Sequence, residues 1–167
     1  MVKKTLILIA VFIGILFCAV GFADSQFRTA LGQKAPALVL PEKPGYAPAT
    51  SLSDNLGSYV MLNFWKATDA RSRRAANEYT AWLRHHKGNK FRLLSVNIDE
   101  SPRLFDEIVR ADSLIKTTQY HVSGDTAKAI VDTYGLDKGL GSLLIDPEGK
   151  IISHNPSMKD LDNIFGR

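Results

Sequence analysis

The stretch Val60–Glu78, which reads VMLNFWKATDARSRRAANE, constrains the fold of this 167-residue chain more than any other. It begins with an almost unbroken apolar run in which only Asn63 is polar, so both faces of the predicted strand Tyr59–Trp65 are apolar. Such a strand is typical of a parallel sheet that is covered by helices. The polar turn Lys66–Thr68 follows, and the residues after Asp69 are apolar at helical spacing: Ala75, Ala76, Tyr79, Trp82 and Leu83. The stretch therefore predicts a buried strand, a tight turn and an amphipathic helix.

The rest of the chain alternates between strand and helix patterns. The predicted strands are Ala37–Leu40, Phe91–Ile98, Gln119–Val122 and the two arms of a hairpin over Leu143–Ile152. The predicted helices are one that starts over Asp99–Pro102 and runs through about Ala111, then Asp125–Tyr134 with Asp125 as its cap, and Met158–Phe165. Pro41–Thr50 is predicted to be a loop, and Ser51–Asp54 a short helical turn. This order favours an α/β fold with a central mixed sheet, helices on both faces, and a C-terminal hairpin and helix.

The N-terminal residues have the layout of an export signal. Lys3 and Lys4 precede the uncharged run Leu6–Ala23, and the small residues Gly21 and Ala23 suit cleavage after Ala23. An uncleaved membrane anchor is the alternative, because the run is close to the ~20 residues that span a bilayer. Both alternatives deliver the remaining chain across the membrane. We expect three parts: a signal peptide or anchor over 1–23, a flexible lead-in over 24–33, and one globular domain over 34–167.

Cysteine count, charge and histidine positions exclude several functions. Cys18 is the only cysteine and lies in the predicted leader, so the exported domain has no thiol for a structural or catalytic disulfide. Removing Lys3 and Lys4 lowers the formal net charge of +4 by two, and no basic run is interleaved with aromatic residues. We therefore expect no nucleic-acid partner. We expect no metal or cofactor either, because His85 and His86 diverge on a helix and the other histidines are isolated.

The strand–turn–helix segment resembles the active-site segment of the thioredoxin superfamily. The similarity is greatest to its TlpA/ResA-like branch of membrane-tethered or periplasmic disulfide reductases, which is grouped with AhpC/TSA proteins. That branch typically reads N-F-W-A-x-W-C-x-x-C-R where this chain reads NFWKATDARSR over Asn63–Arg73. Gly32–Pro36, Ser51–Asp54 and Leu143–Ile151 resemble three further motifs of the branch. The resemblance covers about Gly32 to Phe165 and implies a thioredoxin-like fold. By similarity alone, the chain would be labelled a disulfide reductase or an antioxidant protein.

Three positions depart from the pattern of this branch. Asp69 and Ser72 stand where the branch has its two cysteines, and Leu140 stands where it has a proline that is usually cis. Thiol–disulfide exchange needs an attacking thiolate and a resolving thiol, and neither is available here. A non-proline cis bond costs about 3 kcal/mol, so we expect a trans peptide at Leu140. The sequence therefore predicts a degenerate member of the branch that lacks redox activity.

Asp69 has two interpretations that differ in the pKa of its carboxyl group. As a helix cap, it accepts hydrogen bonds from the backbone N–H of Arg71 or Ser72, and its pKa is depressed. As an acid or base in an enzyme with non-thiol chemistry, it has a raised pKa. No partner residue for such chemistry is evident in the sequence, so we favour the cap.

The same segment is rich in cations. We predict that Trp65, Lys66, Arg71, Arg73 and Arg74 form a docking face, near Leu140, for a protein or peptide of the cell envelope. The alternative is a solvated surface whose charge is offset by Asp69 and Glu78. The sequence thus favours an exported, non-catalytic binding or accessory protein over an enzyme centred on Asp69.

Overall fold

The protein is described by a computed structural model that covers residues 29–86 and 90–166. Within these residues, a five-stranded mixed sheet has the strand order β5-β4-β3-β6-β7. Its strands are β3 (Tyr59–Trp65), β4 (Phe91–Asn97), β5 (Gln119–His121), β6 (Ser142–Ile145) and β7 (Ile151–His154). β3, β4 and β5 are parallel, whereas β6 is antiparallel to both β3 and β7. The predicted mixed sheet with a C-terminal hairpin is therefore confirmed.

The helices cover both faces of this sheet, as predicted. The described residues contain α1 (Ala70–His85), α2 (Pro102–Ala111), α3 (Gly124–Tyr134) and α4 (Met158–Phe165). One face of β3 packs against α3 through side chains such as Phe64, which lies near Tyr134. The other face packs against α1, α2 and α4 through Met61 and Trp65. Because each large apolar side chain buried in this way contributes about 1.5–3 kcal/mol, β3 is held firmly, and so is the turn that follows it.

A second, two-stranded sheet lies N-terminal to β3. β1 (Val39–Leu40) lies within the predicted strand Ala37–Leu40 and pairs antiparallel with β2 (Thr50–Ser51), which was not predicted; a 3-10 turn over Ser53–Asn55 follows. The predicted loop Pro41–Thr50 connects the two strands, except that its last residue, Thr50, belongs to β2. A strand of two residues such as β2 carries too little periodicity to be recognised from the sequence.

The start of the described chain differs from the expected flexible lead-in. The N–H of Gly32 donates to the carbonyl of Ile151 (2.7 Å), and the N–H of Ile151 donates to the carbonyl of Gln33 (2.9 Å). These bonds join residues 32 and 33 to β7. The predicted leader, 1–23, and residues 24–28 lie outside the described residues. No helix in the described part of the chain has the length and apolar character needed to cross a membrane.

The prediction that Asp125 caps its helix is wrong. α3 begins one residue earlier, at Gly124, and its cap position is held by Ser123, whose side chain makes no capping hydrogen bond. Asp125 instead lies in the first turn, where its charge still suits the positive end of the helix. Gly124 has a φ of +58°, a conformation that glycine adopts without strain.

Candidate functional site

Asp69 is the N-cap of α1, as predicted. Its backbone is extended, and its Oδ1 accepts a hydrogen bond from the backbone N–H of Ser72 at 2.7 Å. This N–H and then the Ser72 hydroxyl lower the pKa of Asp69, and the charge of Arg71 lowers it slightly further. The carboxylate thus satisfies a helix N–H that has no partner within the helix. The depressed pKa is the one expected for a cap, not for a general acid.

Ser72 is buried and joins the cap to the preceding turn. Its hydroxyl lies 3.2 Å from the carbonyl oxygen of Asp69 and also accepts from the backbone N–H of Lys66 at 3.2 Å. The two residues that occupy the family's cysteine positions are therefore hydrogen-bonded to each other and to the turn. A hydroxyl at this depth holds backbone groups in place and brings no redox chemistry.

Asp99 also holds this turn in place, whereas it was predicted only as part of the start of a helix. Its Oδ2 accepts from the backbone N–H of Ala67 (2.8 Å) and from Nδ2 of Asn97 (2.6 Å). Its carbonyl oxygen lies 2.9 Å from Nε2 of His121. Asp99 is buried, so these donors provide the hydrogen bonds that water would otherwise provide to its carboxylate. The sequence contains one indication of this role. Asp99 lies just after β4, and the carboxyl ends of the parallel strands β3 and β4 lie at the same edge of the sheet.

Arg73 is held by the chain itself. Its Nε and one terminal nitrogen each lie 2.6 Å from an oxygen of Asp112, the residue after α2, in a bidentate ion pair. Asn77 supports the pair by donating to Asp112 (3.1 Å) and to the carbonyl of Arg73 (3.0 Å). Arg73 is the first cause of the lowered pKa of Asp112. The guanidinium therefore joins α1 to the end of α2 and is not available as predicted for docking.

The inclusion of Trp65 in a docking face is wrong. Its side chain is 0% exposed and packs near Phe105 of α2, at a ring distance of 6.0 Å. It is the last residue of a strand that is apolar on both faces, and residues of α1 and α2 such as Ala76 and Phe105 cover it. The same pattern that predicted the strand could have predicted this burial.

Three of the predicted docking residues remain at the surface. Arg71 and Arg74 are exposed and Lys66 is half-buried, and none of them forms an ion pair within the described residues. Arg74 lines an open, shallow groove together with Ala67, Thr68, Ala70, Arg73, Asn77 and Asp112, and Lys66 and Arg71 are next in sequence to two of these residues. We call this surface, defined by Lys66, Arg71 and Arg74 around the groove, the basic face.

Leu140 has a trans peptide, as predicted, and does not line the groove. It is half-buried and packs against the core beneath α3. The next residue, Gly141, accepts from the N–H of Phe64 at 3.0 Å, which places this loop beside β3. A Cβ at Gly141 would lie 2.8 Å from Oδ1 of Asn155, so a larger residue here would displace that side chain, which accepts a hydrogen bond from the N–H of Ser142. The loop thus neighbours the strand that carries the site, but Leu140 belongs to the core.

No group of three or more potential metal ligands lies together within residues 29–86 and 90–166. Among the histidines, His121 bonds to Asp99, and Nε2 of His154 lies 2.6 Å from the carbonyl oxygen of Thr29. Neither histidine lines the groove of the basic face. The chemistry of the site is therefore that of hydrogen-bonded polar groups and exposed cations.

Solved structures of other proteins share the fold of this chain. A thioredoxin-like protein from Parabacteroides distasonis superposes with a TM-score of 0.69 and 29% identity, over 83% of this chain and 96% of that one. A thiol:disulfide interchange protein from Bacteroides sp. superposes with a TM-score of 0.68 and 24% identity, over 82% and 88%. The fold is therefore thioredoxin-like, and the full sequence of this chain has a single cysteine.

Sequence comparison identifies the family. Residues 31–154 match the AhpC/TSA family, and the chain belongs to it. It is 26% identical to the thiol-disulfide oxidoreductase ResA of Bacillus subtilis over 148 residues, which cover 83% of this chain and 77% of that protein. The corresponding ResA of Bacillus thuringiensis is 26% identical over 157 residues, covering 90% and 87%. The predicted resemblance to TlpA/ResA-like proteins is therefore confirmed.

Proposed function

We propose that this chain is an exported, non-catalytic binding or accessory protein of the cell envelope, and that it contacts its partner through the basic face. The observation that carries the proposal is the hydrogen-bonded pair Asp69 and Ser72, which occupies the positions of the family's cysteines. Around this pair, exposed arginines remain without ion pairs among the described residues.

The absence of thiols argues against redox activity in the exported domain. A disulfide reductase needs a low-pKa thiolate at the helix N-terminus and a second thiol to resolve the mixed disulfide. The single cysteine, Cys18, lies in the predicted leader, and Asp69 and Ser72 stand at the family's thiol positions. A cysteine-dependent peroxidase is disfavoured for the same reason.

The alternative, an enzyme that uses Asp69 as acid or base, is disfavoured by the pKa of this carboxyl group. A general acid or base works best with a pKa near the working pH, which for a carboxyl group means a raised value. The pKa of Asp69 is instead lowered by the N–H and hydroxyl of Ser72. A carboxylate held in this way accepts hydrogen bonds and gives up no proton near neutral pH.

The charge of the basic face favours an acidic partner. Cations in the first turn of a helix are unfavourable by about 0.3–1 kcal/mol each at low salt. Arg71 and Arg74 both occupy this turn or the residues just after it, and both are exposed. Acidic groups on a partner would offset this cost and would also raise the rate of association.

Export is proposed from the leader pattern of 1–23, in which Lys3 and Lys4 precede the apolar run. The proposal holds whether the leader is cleaved or remains as an anchor.

The basic face can be tested by cross-linking capture from envelope extract. The full chain carries a C-terminal affinity tag, so that processing of the leader does not remove the tag, and it is compared with the variant Arg71→Glu/Arg74→Glu. Arg73 is left unchanged because it is bonded to Asp112. The matched control is Lys128→Glu/Lys159→Glu, which makes the same charge change at exposed positions on α3 and α4.

We expect an acidic protein to be captured by the wild type and by the control, and to be lost from the arginine variant. Capture should also weaken as salt is raised, because exposed charges are screened. Equal capture by all three chains would reject the basic face as the docking surface. Reduction of a protein disulfide by the purified wild type would reject the non-catalytic proposal itself.

A further inference from the structure

We propose that the groove between β1 and the β6–β7 turn binds a second copy of this chain and forms a two-fold symmetric dimer. We call it the hairpin groove, and the residues that carry the argument are Lys34, Val39, Leu56, Ile145 and Glu148. The following observations distinguish it from ordinary surface.

The hairpin groove contains large apolar side chains that are not covered within the described chain. Val39 is 73% exposed and Leu56 is 59% exposed, and both line it. Its floor is formed by buried core residues, including Leu38, Val60 and Ile145. Single exposed apolar residues are common on protein surfaces, but exposed residues grouped over an apolar floor mark interaction sites.

The backbone beside this groove also has an unused pairing edge. Within the described residues β1 pairs only with β2, so its other edge has no strand neighbour. An open sheet edge can accept a strand from another chain, but β1 offers only two residues, so the apolar side chains around it contribute most of the proposed interface. Two copies of one edge strand that face each other across a two-fold axis run antiparallel, which is the geometry that strand pairing accepts.

The charges at the rim favour a second copy over an acidic or a basic peptide. Lys34 and Glu148 are both exposed, have opposite signs, and form no ion pair within the part of the chain that the structure describes. The neighbouring Asp146 is used locally, since its Oδ1 accepts from the N–H groups of Glu148 and Lys150. In a two-fold interface, every contact between residue i of one copy and residue j of the other occurs twice. The proposed interface pairs Lys34 of each copy with Glu148 of the other.

The hairpin groove is separate from the basic face. Val60, near the start of β3, lines the hairpin groove, whereas Lys66 follows the end of the same strand. A strand of this length separates its ends by roughly 20 Å at about 3.3 Å per residue. Dimer formation therefore leaves the basic face open, and the two proposals can fail independently.

The dimer can be tested by site-specific cross-linking of the full chain in the cells that express it. Cys18 is the only native cysteine, so Cys18→Ala gives a background in which one thiol can be placed at will. Val39→Cys places it in the hairpin groove. Ile164→Cys is the matched control, because it replaces an exposed apolar residue on α4 that does not line this groove. Two differently tagged copies are co-expressed and treated with a short bifunctional maleimide.

We expect a product of twice the chain mass that contains both tags, formed at least ten times more from Val39→Cys than from Ile164→Cys. Adding Leu56→Asp, a change at a largely exposed position, should abolish it. Equal yields from the two cysteine positions, or a cross-link only to a different protein, would overturn the proposal.

Charge exchange tests the two-fold arrangement, with the Val39→Cys cross-link as the readout. Lys34→Glu and Glu148→Lys should each reduce the Val39→Cys cross-link several-fold, because each places like charges opposite one another. The double exchange should restore it, since both contacts then regain opposite charges. A double variant that cross-links no better than the single variants would overturn the assigned pairing and with it the two-fold model.

Discussion

At the scale of single residues, Asp69 and Ser72 form the hydrogen-bonded cap at the start of α1. One carboxylate oxygen accepts the Ser72 N–H, and the Ser72 hydroxyl accepts the N–H of Lys66. These are short-range bonds between residues at most six apart, which is why the cap could be predicted from the sequence alone.

Replacing Asp69 with alanine should lower the free energy of unfolding by about 1 kcal/mol at neutral pH, because an N-cap acceptor is lost. Asp69→Asn is the control and should lose less, since asparagine retains a capping oxygen. Chemical denaturation of the three proteins would measure the differences. An alanine variant as stable as the wild type would show that the cap contributes nothing.

The cost of Asp69→Ala should depend on pH. The folded-state pKa of Asp69 lies below its unfolded value, so its stabilisation is fully present above an unfolded pKa of about 3.9 and is lost as the pH falls through the folded value. The stability difference between wild type and variant should therefore shrink below about pH 4. Urea titrations at neutral and acidic pH would measure it. A difference that grew on acidification would contradict the assigned direction.

At the scale of elements, long-range polar contacts fix how α1 sits against its neighbours. Arg73 joins α1 to the end of α2, and Asp99, after β4, holds the turn before α1. Their partners are 39 and 32 residues away in sequence. Sequence periodicity located the elements but could not match these side chains, because such pairing depends on how packed elements are oriented.

Arg73→Ala should destabilise the fold by about 1–2 kcal/mol, because it removes a charged hydrogen-bond donor and leaves Asp112 half-buried without its main partner. Arg74→Ala is an adjacent control on the same helix and should change stability by less than about 0.5 kcal/mol, as expected for an exposed residue. Denaturation midpoints would compare the two. Equal effects would contradict the structural role of the Arg73 pair.

Asp99→Ala should cost about 1–3 kcal/mol, because the N–H of Ala67 and the amide of Asn97 lose a shared acceptor. The specific readout is hydrogen exchange at the Ala67 amide, which should become faster than in Asp99→Asn, where one side-chain oxygen remains. Unchanged exchange in the alanine variant would show that the turn is held by other contacts.

At the scale of the whole molecule, the fold was more predictable than the site. β3, α1, the hairpin and α4 have strong local patterns, and their predicted positions agree with the structure. The burial of Trp65 was missed because it was interpreted by its place in the family motif and not by the apolar strand that contains it. β1 lies within the predicted strand Ala37–Leu40, whereas its partner β2 was missed because two residues are too few to show alternation.

Because the scaffold is that of thiol-disulfide oxidoreductases, restoring both thiols should restore a disulfide. We expect Asp69→Cys/Ser72→Cys, expressed with its leader in a host with an oxidising envelope, to form an intramolecular disulfide at the start of α1. Intact-mass measurement before and after reduction and alkylation would detect it, with the two single-cysteine variants as controls. Free thiols in the double variant under these conditions would show that the backbone no longer holds the two positions in disulfide geometry.

The closed hydrogen bonding around Ser72 also bears on how a cysteine pair could arise at positions 69 and 72. A first mutation to cysteine at position 69 removes the carboxylate that caps α1, and one at position 72 removes the hydroxyl bonded to the N–H of Lys66. Neither single change creates a bridge that would compensate. A stepwise route to a cysteine pair at these positions therefore passes through a less stable protein with a single cysteine. The hydrogen bonds around Ser72 thus oppose the acquisition of a cysteine pair one substitution at a time.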